Sequence, residues 1–514
     1  MTTVKLLNVP FEDNYKDTVY FANKQEQETY MNSKVVKTFE ELTYQRKEQK
    51  VRVPAHIDTL YNCNYIAYTN APYTNKTYYA FIVDMEYKQD DCTWITIKTD
   101  VLQTWMFDYT VKPSFVEREH VIDDTVGLNT IPEGLETGDF RCLKYEYDPE
   151  LIKTHVVLGT TVDTTGANVQ GGNYNGIYSG VKYYSYPSRT GANLINNVLK
   201  VLEGEGKIDS VQCVFMAPEF LTTDEDGTLG IEHSNSIKAY VHQIKKALPD
   251  LEIKNNKCLT FPYRYILASN NNGGSAIYKY ELFDDDEHIL FSVHGALTPG
   301  CSIRMAPRGY NGIDDVNVNN EEGLNLGKYP ICNWASDIYT NWLTQNSVNI
   351  GLNIASGVAQ VVAGVGTAIA TGGVGSAVGV GTAVGGVSSI VSQLAQIHQM
   401  SFTPPQSNGN VNCGDVVTAS ETNTFHFYQM CVKDEYLKII DEFFTMFGYK
   451  VNRVKVPNKN HRPNFWYTKT IDVNIDGSIP NKDLQEIKQC YNNGITFWKS
   501  NATMGDYSVD NAPV

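Results

Sequence analysis

No Asp, Glu, Lys or Arg stands between Asp337 and Asp415. The chain has 514 residues, with 42 Lys and Arg and 58 Asp and Glu, so elsewhere a charge falls at about every fourth or fifth position. The signals of several chemistries are missing too. There is no Walker A sequence, no G-x-S-x-G, no H-E-x-x-H and no pair of cysteines at C-x-x-C spacing. That removes the usual sequence grounds for a P-loop nucleotide hydrolase, a serine hydrolase elbow, a zincin or a zinc ribbon. Basic charge is scarce: the net charge is −16 and the pI about 5.1. Proteins that grip phosphates concentrate Lys and Arg, so a nucleic-acid-binding module is not expected.

The start of the chain, MTTVKLLNVPFEDN, has no apolar signal core, and no Sec export is expected. The ten cysteines, at 63, 92, 142, 213, 258, 301, 332, 413, 431 and 490, are scattered and are expected to stay reduced. The run Asp284–Glu287 with His288 reads as a solvated turn rather than a metal site, and Asp224-Glu-Asp-Gly227 lacks the twelve-residue calcium pattern. His288 and His294 are six apart, a poor spacing for one face. No cofactor and no enzyme activity is expected. Carboxylate pairs of a wall hydrolase would be invisible without a fold, so that alternative stays open.

The uncharged stretch is rich in small and β-branched residues. Val348, Ile350, Leu352, Ile354, Val358, Val361, Val362, Val365 and Ile369 form a first run, and Gly372-Gly373 a break. A second run carries Gly375, Val378, Gly379, Gly381, Val384, Gly385, Ile390, Leu394 and Ile397. Each run holds about twenty residues, enough to cross a ~30 Å hydrocarbon layer as a helix. The first run favours insertion by about 3–5 kcal/mol. Asn349, Asn353 and Gln360 oppose it, and the balance is near zero. GSAVG and GTAVG place glycines four apart, a spacing that lets helices pack closely. The segment is predicted to be a plug or membrane-active hairpin. A flexible linker is the alternative reading.

The rest is read as mainly β (α+β). Tyr78–Lys88 alternates, with Phe81, Val83, Met85 and Tyr87 on one face, and Thr93–Val101 alternates back: a β-hairpin. Strands are also predicted at 34–38, 51–53, 263–268, 288–293, 424–432, 449–456, 465–473 and 495–498. Helices are predicted at Gly191–Leu202, Ser236–Leu248, Lys433–Phe447 and Asn481–Asn493, the last capped by Asn481. Trp105, Met106 and Phe107 are expected in core packing. The division expected is 1–145, 146–335 as a middle insertion domain, 338–414 as the apolar loop, and 415–514.

DVLQTWMFD at 100–108, REHV at 118–121, NTIPEGL at 129–135, FGYKVNRVKVPN at 447–458, LQEIKQCYNNGITFW at 484–498 and DYSV at 506–509 carry a resemblance. They resemble the tail knob (distal tail tube) proteins of phi29-like, Picovirinae-type short-tailed bacteriophages, over roughly 1–140 and 340–514. In that family too an uncharged Gly/Ala-rich segment lies between the two blocks. The resemblance implies a β-barrel-type tube-forming domain built from both chain ends and a homohexameric ring at the tip of a short tail. It implies an upstream collar (connector) partner in the virion, phage double-stranded DNA as passing cargo, and loops that plug the lumen. On infection those loops would enter the host Gram-positive cell membrane as a pore. Assembly would take place in the host cytoplasm. A free pore-forming toxin is the alternative of a different class.

Overall fold

The computed structural model describes residues 2–42, 44–45, 49–71, 74–163, 173–174, 177–178, 182–187, 192–207, 210–222, 228–229, 237–271, 273–297, 301, 303–312, 322–326, 423–459 and 461–513. The chain divides into two units, and each is built from separated stretches. The first comprises Met1–Asp139, Leu251–Tyr263 and Lys433–Val514. The second comprises Phe140–Asp250 and Arg264–Val432.

In the first unit alternation builds a seven-stranded antiparallel sheet. Its order is Val35–Leu42, Thr2–Leu7, Tyr65–Asn70, Thr77–Gln89, Cys92–Thr99, Lys50–Val53, Tyr44–Gln45. Leu42 pairs with Thr2 at one edge, and Tyr44 pairs with Val51 at the other. Two residues span at most about 7 Å, so the two edges must lie together and the sheet curls into a barrel-like form. Its inner face packs Val4, Leu6, Val51, Val53, Ile66, Ala80, Ile95 and Ile97. The intervening residues Leu7, Tyr65, Ala67, Tyr79 and Phe81 point outward into a second core. These strands are apolar on both faces because both faces are covered.

The outer cover is a five-stranded sheet, Asp17–Val19, Ile495–Trp498, Phe465–Ile471, Ser114–Glu119 and Tyr449–Lys455, together with helices Lys24–Ser33, Val101–Trp105 and Asn481–Asn493. Strand Ser114–Glu119 lies between two strands from the far end of the chain, in register Phe115↔Val454 and Phe115↔Ile471.

The second unit holds three four-stranded sheets. One is Phe140–Tyr147, His426–Val432, Arg264–Ser269, Ser275–Tyr278. Another is Val211–Pro218, Thr154–Thr160, Lys182–Pro187, Thr228–Leu229. The third is Ile237–Lys245, His288–Ala296, Ile303–Arg308, Leu324–Leu326. Phe215, Phe291, Phe425, Phe427 and Ile303 are fully buried in the core of this unit.

The hairpin Thr77–Gln89/Cys92–Thr99 forms as predicted, but its outer half departs from the expected face. Pairing with Tyr65–Asn70 ends at Phe81, and a bulge between Ile82 and Asp84 turns Val83 outward. The helix predicted at Ser236–Leu248 is instead strand Ile237–Lys245, paired over its whole length with His288–Ala296. Its apolar residues do step by three and four. The face turned to the core, however, carries Tyr240, His242 and Ile244, and the polar tips hide a period of two. Val241 and Leu248, expected on an apolar helical face, are exposed. Helix Asn481–Asn493 begins after Pro480 rather than at a capping Asn481. Helices Ala192–Gly204 and Asp434–Phe447 lie where expected.

Candidate functional site

Asp100 is placed by a short local signal, whereas most buried polar side chains of the first unit meet partners far along the chain. Asp100 caps helix Val101–Trp105: its Oδ1 accepts from Leu102 N and Gln103 N, each at 3.0 Å, and its Oδ2 from Tyr65 Oη at 2.8 Å. Burial pushes this carboxyl up to about 6. Trp105 is buried, donates from Nε1 to Asp483 at 2.9 Å, and has the Lys76 ammonium 3.7 Å from its ring centroid. Met106 Sδ accepts from Phe21 N at 3.5 Å, whereas Phe107 is exposed. Core packing therefore holds for Trp105 and Met106 and not for Phe107.

A denser network surrounds segment Leu251–Tyr263, where the chain re-enters the first unit between its two excursions. Asp441, on helix Asp434–Phe447, accepts from Lys254 N at 3.0 Å and from Asn255 N and Nδ2 at 2.9 Å. Asn255 Nδ2 also donates to Thr445 Oγ1 at 2.8 Å. Asn256 N donates to Asp124 Oδ2 at 2.9 Å, and Tyr449 Oη donates to Asp124 Oδ1 at 2.6 Å. Glu133, fully buried, takes Arg118 and Lys257 as ion-pair partners and accepts from Lys450 N at 3.0 Å. Burial holds the Lys257 ammonium below its ordinary range, and Glu133 counters it. His120 Nδ1 accepts from Tyr467 N at 2.7 Å, so its Nε2 carries the proton that faces Thr445 O at 2.9 Å. Burial, with Arg462 nearby, lowers its pKa to about 3.

These groups hold backbone rather than reacting atoms. Each buried carboxylate is met by peptide N–H groups, hydroxyls or cations. In the second unit, Asp148 accepts from Tyr240 Oη at 2.5 Å and lies 3.6 Å from His242 Nδ1. The other ring nitrogen of His242 is buried and meets no hydrogen-bond partner among the described residues. Asp285 closes a turn by accepting from Glu287 N and His288 N at 2.8 and 2.7 Å. No group of three His, Cys, Asp or Glu suited to a metal occurs among the described residues.

The residues expected to plug or insert, Ile350 to Ile397, lie outside the described residues. No described helix is long and apolar enough to cross a membrane. Pattern reading missed two exposed strand edges. One is the outer half of Thr77–Gln89. The other is Tyr449–Lys455, which ends the five-stranded sheet.

Residues 1–110, which build the curled sheet and the cap at Asp100, match the N-terminus of caudoviral major tail proteins. The chain is thus of the class of structural proteins of bacteriophage tails. Residues 229–512, more than half of the chain, match the C-terminal domain of the Bacillus phage phi29 tail knob protein gp9. The chain belongs to that tail knob family.

Tail knob protein gp9 of Bacillus phage PZA and that of phi29 are each 27% identical to it, covering 99% of this chain and 98% of theirs. The alignment thus runs through the middle region, where the motifs gave no resemblance. The fold is also that of the bacteriophage C1 tail knob protein gp12, at a TM-score of 0.64 and 14% identity over the whole of both chains. The protein is a structural component of the virion tail and assembles with other tail proteins.

Proposed function

We propose that six copies of the chain close into a ring at the distal tip of the tail, docked on the collar protein, with a lumen through which the phage DNA leaves. In this reading residues 338–414 of each copy fill the lumen before infection. They are expelled ahead of the DNA and line a pore in the host Gram-positive membrane. The observation that carries the reading is the charge-free run between Asp337 and Asp415 in a chain of tail knob type. Its insertion energy near zero suits a segment that is sheltered among sister copies and then transferred to lipid. Six hairpins supply about twelve helices, enough to surround an opening that no single copy could enclose. The acidic net charge of −16 keeps DNA from adhering as it passes. The role is mechanical, not enzymatic.

Deleting 350–397 is the test. The truncated chain should still form rings in detergent-free buffer by light scattering, while dye release from anionic liposomes, present with the full chain, disappears. Release that survives the deletion removes the pore from the proposal. Rings that need lipid or detergent to form would favour a toxin instead.

A further inference from the structure

The ring leaves open which surfaces of one copy meet the next, and two unpaired strand edges of the first unit point to an answer. The first is the outer half of strand Thr77–Gln89. Its last backbone bond on the outer side is Ile82 N to Asn64 O at 3.0 Å. From Val83 to Lys88 the outer edge meets no backbone partner among the described residues. Val83 is 58% and Tyr87 47% exposed. The edge and turn carry Asp84, Glu86, Asp90 and Asp91 against one cation, Lys88.

The second is the 452–455 end of strand Tyr449–Lys455, the terminal strand of the five-stranded sheet; nearer its start Tyr449 and Val451 are buried and Lys450 N is taken by the Glu133 carboxylate. The strand carries Lys450, Arg453 and Lys455 and no acid, in a chain of net charge −16. Lys455 is paired with Glu119 and Lys450 donates to the Glu133 carbonyl, while Arg453 faces solvent. Val454 is 71% exposed and ends an in-register row, Ile471–Phe115–Val454, whose three members are all exposed. Solvent faces of sheets are ordinarily polar, and an uncovered strand edge beside an apolar row invites another strand.

We propose that the outer edge Val83–Lys88 of one copy adds as a further strand to the 452–455 edge of the next. The added strand continues the apolar row with Val83 or Tyr87 and sets its acids against Arg453. Among the described residues the two edges do not pair with each other within a single chain. They are two different patches, so the contact is head-to-tail, the kind that builds a ring where its rotation closes, rather than a two-fold dimer. The proposal rests on the ring reading above and names its contact.

The test uses the full chain. Glu86→Arg and Arg453→Glu, each alone, should raise the concentration for half-assembly of rings by about tenfold or more in light scattering, and the two together should restore it. In a Cys142→Ser background, Tyr87→Cys combined with Val454→Cys should give on oxidation a ladder of linked chains. Neither substitution alone should do so, which controls for the remaining cysteines. Rings of the unaltered chain with an unmoved midpoint in the reversed variants and no ladder overturn this contact and leave the ring standing. A chain that stays monomeric throughout overturns both.

Discussion

At Gly448 the helix Asp434–Phe447 ends and strand Tyr449–Lys455 begins. The backbone takes φ of 63° and ψ of −153°, a region essentially open to glycine alone. A Cβ there would also collide with the carbonyl of Glu119. Gly448→Ala should therefore cost about 3 kcal/mol or more in chemical unfolding, with the loss concentrated in the first unit. His120 gives a second residue-scale prediction. Unfolded, its imidazole takes up a proton near pH 6.5; folded, only near 3. Between those values the unfolded state holds the extra proton, so this residue's contribution to stability is lost as pH falls, by about 5 kcal/mol in all. Asp100 acts in the opposite sense, because its folded form holds a proton up to about pH 6. Comparing thermal unfolding of the native chain and His120→Gln from pH 7 to pH 4 isolates the histidine. The variant should show the shallower acid loss.

At the scale of elements, segment Leu251–Tyr263 is held to helix Asp434–Phe447 largely through one carboxylate. Asp441→Ala leaves the amides of Lys254 and Asn255 without their acceptor and should destabilise by about 3 kcal/mol, with amide exchange accelerated first across 254–258. Elements differed in how far their residues announced them. Strand Cys92–Thr99 was legible because Ile95 and Ile97 alternate with polar neighbours over a buried inner face. Helix Asp434–Phe447 was legible from Leu437, Ile440 and Phe444 and from the glycine that follows. Strand Ile237–Lys245 was not, because His242 is stacked on Phe427 on the face turned inward and breaks the apolar alternation. Helix Val101–Trp105 has five residues, too few for a period to show. The pairing of Ser114–Glu119 with strands more than 300 residues away left no local trace, since packing alone sets it. The two exposed edges escaped notice because edge status depends on neighbours that a pattern does not name.

At the scale of the whole molecule the distribution of charge bears on the proposed passage of DNA. A net charge of −16, with Arg118, Lys257 and Lys455 committed to the buried acids Glu133 and Glu119, disfavours adhesion of a duplex. Free double-stranded DNA at physiological salt should bind the assembled rings more weakly than about 100 µM in a gel-shift or anisotropy titration. A tight complex that weakens steeply with salt would remove the repulsive-lumen argument. On the proposed reading the uncharged stretch supplies the plug, and the sheet edges would supply the surfaces by which copies join.

The interleaving of the first unit carries a consequence for synthesis. Strand Ser114–Glu119 leaves the ribosome with neither of its lateral neighbours yet made, and both arrive more than 300 codons later. At about 5–20 residues per second that is a wait of roughly 15 to 70 seconds. A message cut short, or a chain released early, never completes the five-stranded sheet. On the proposed contact it would lack the strand a neighbour grips, so the growing tail would admit only finished chains.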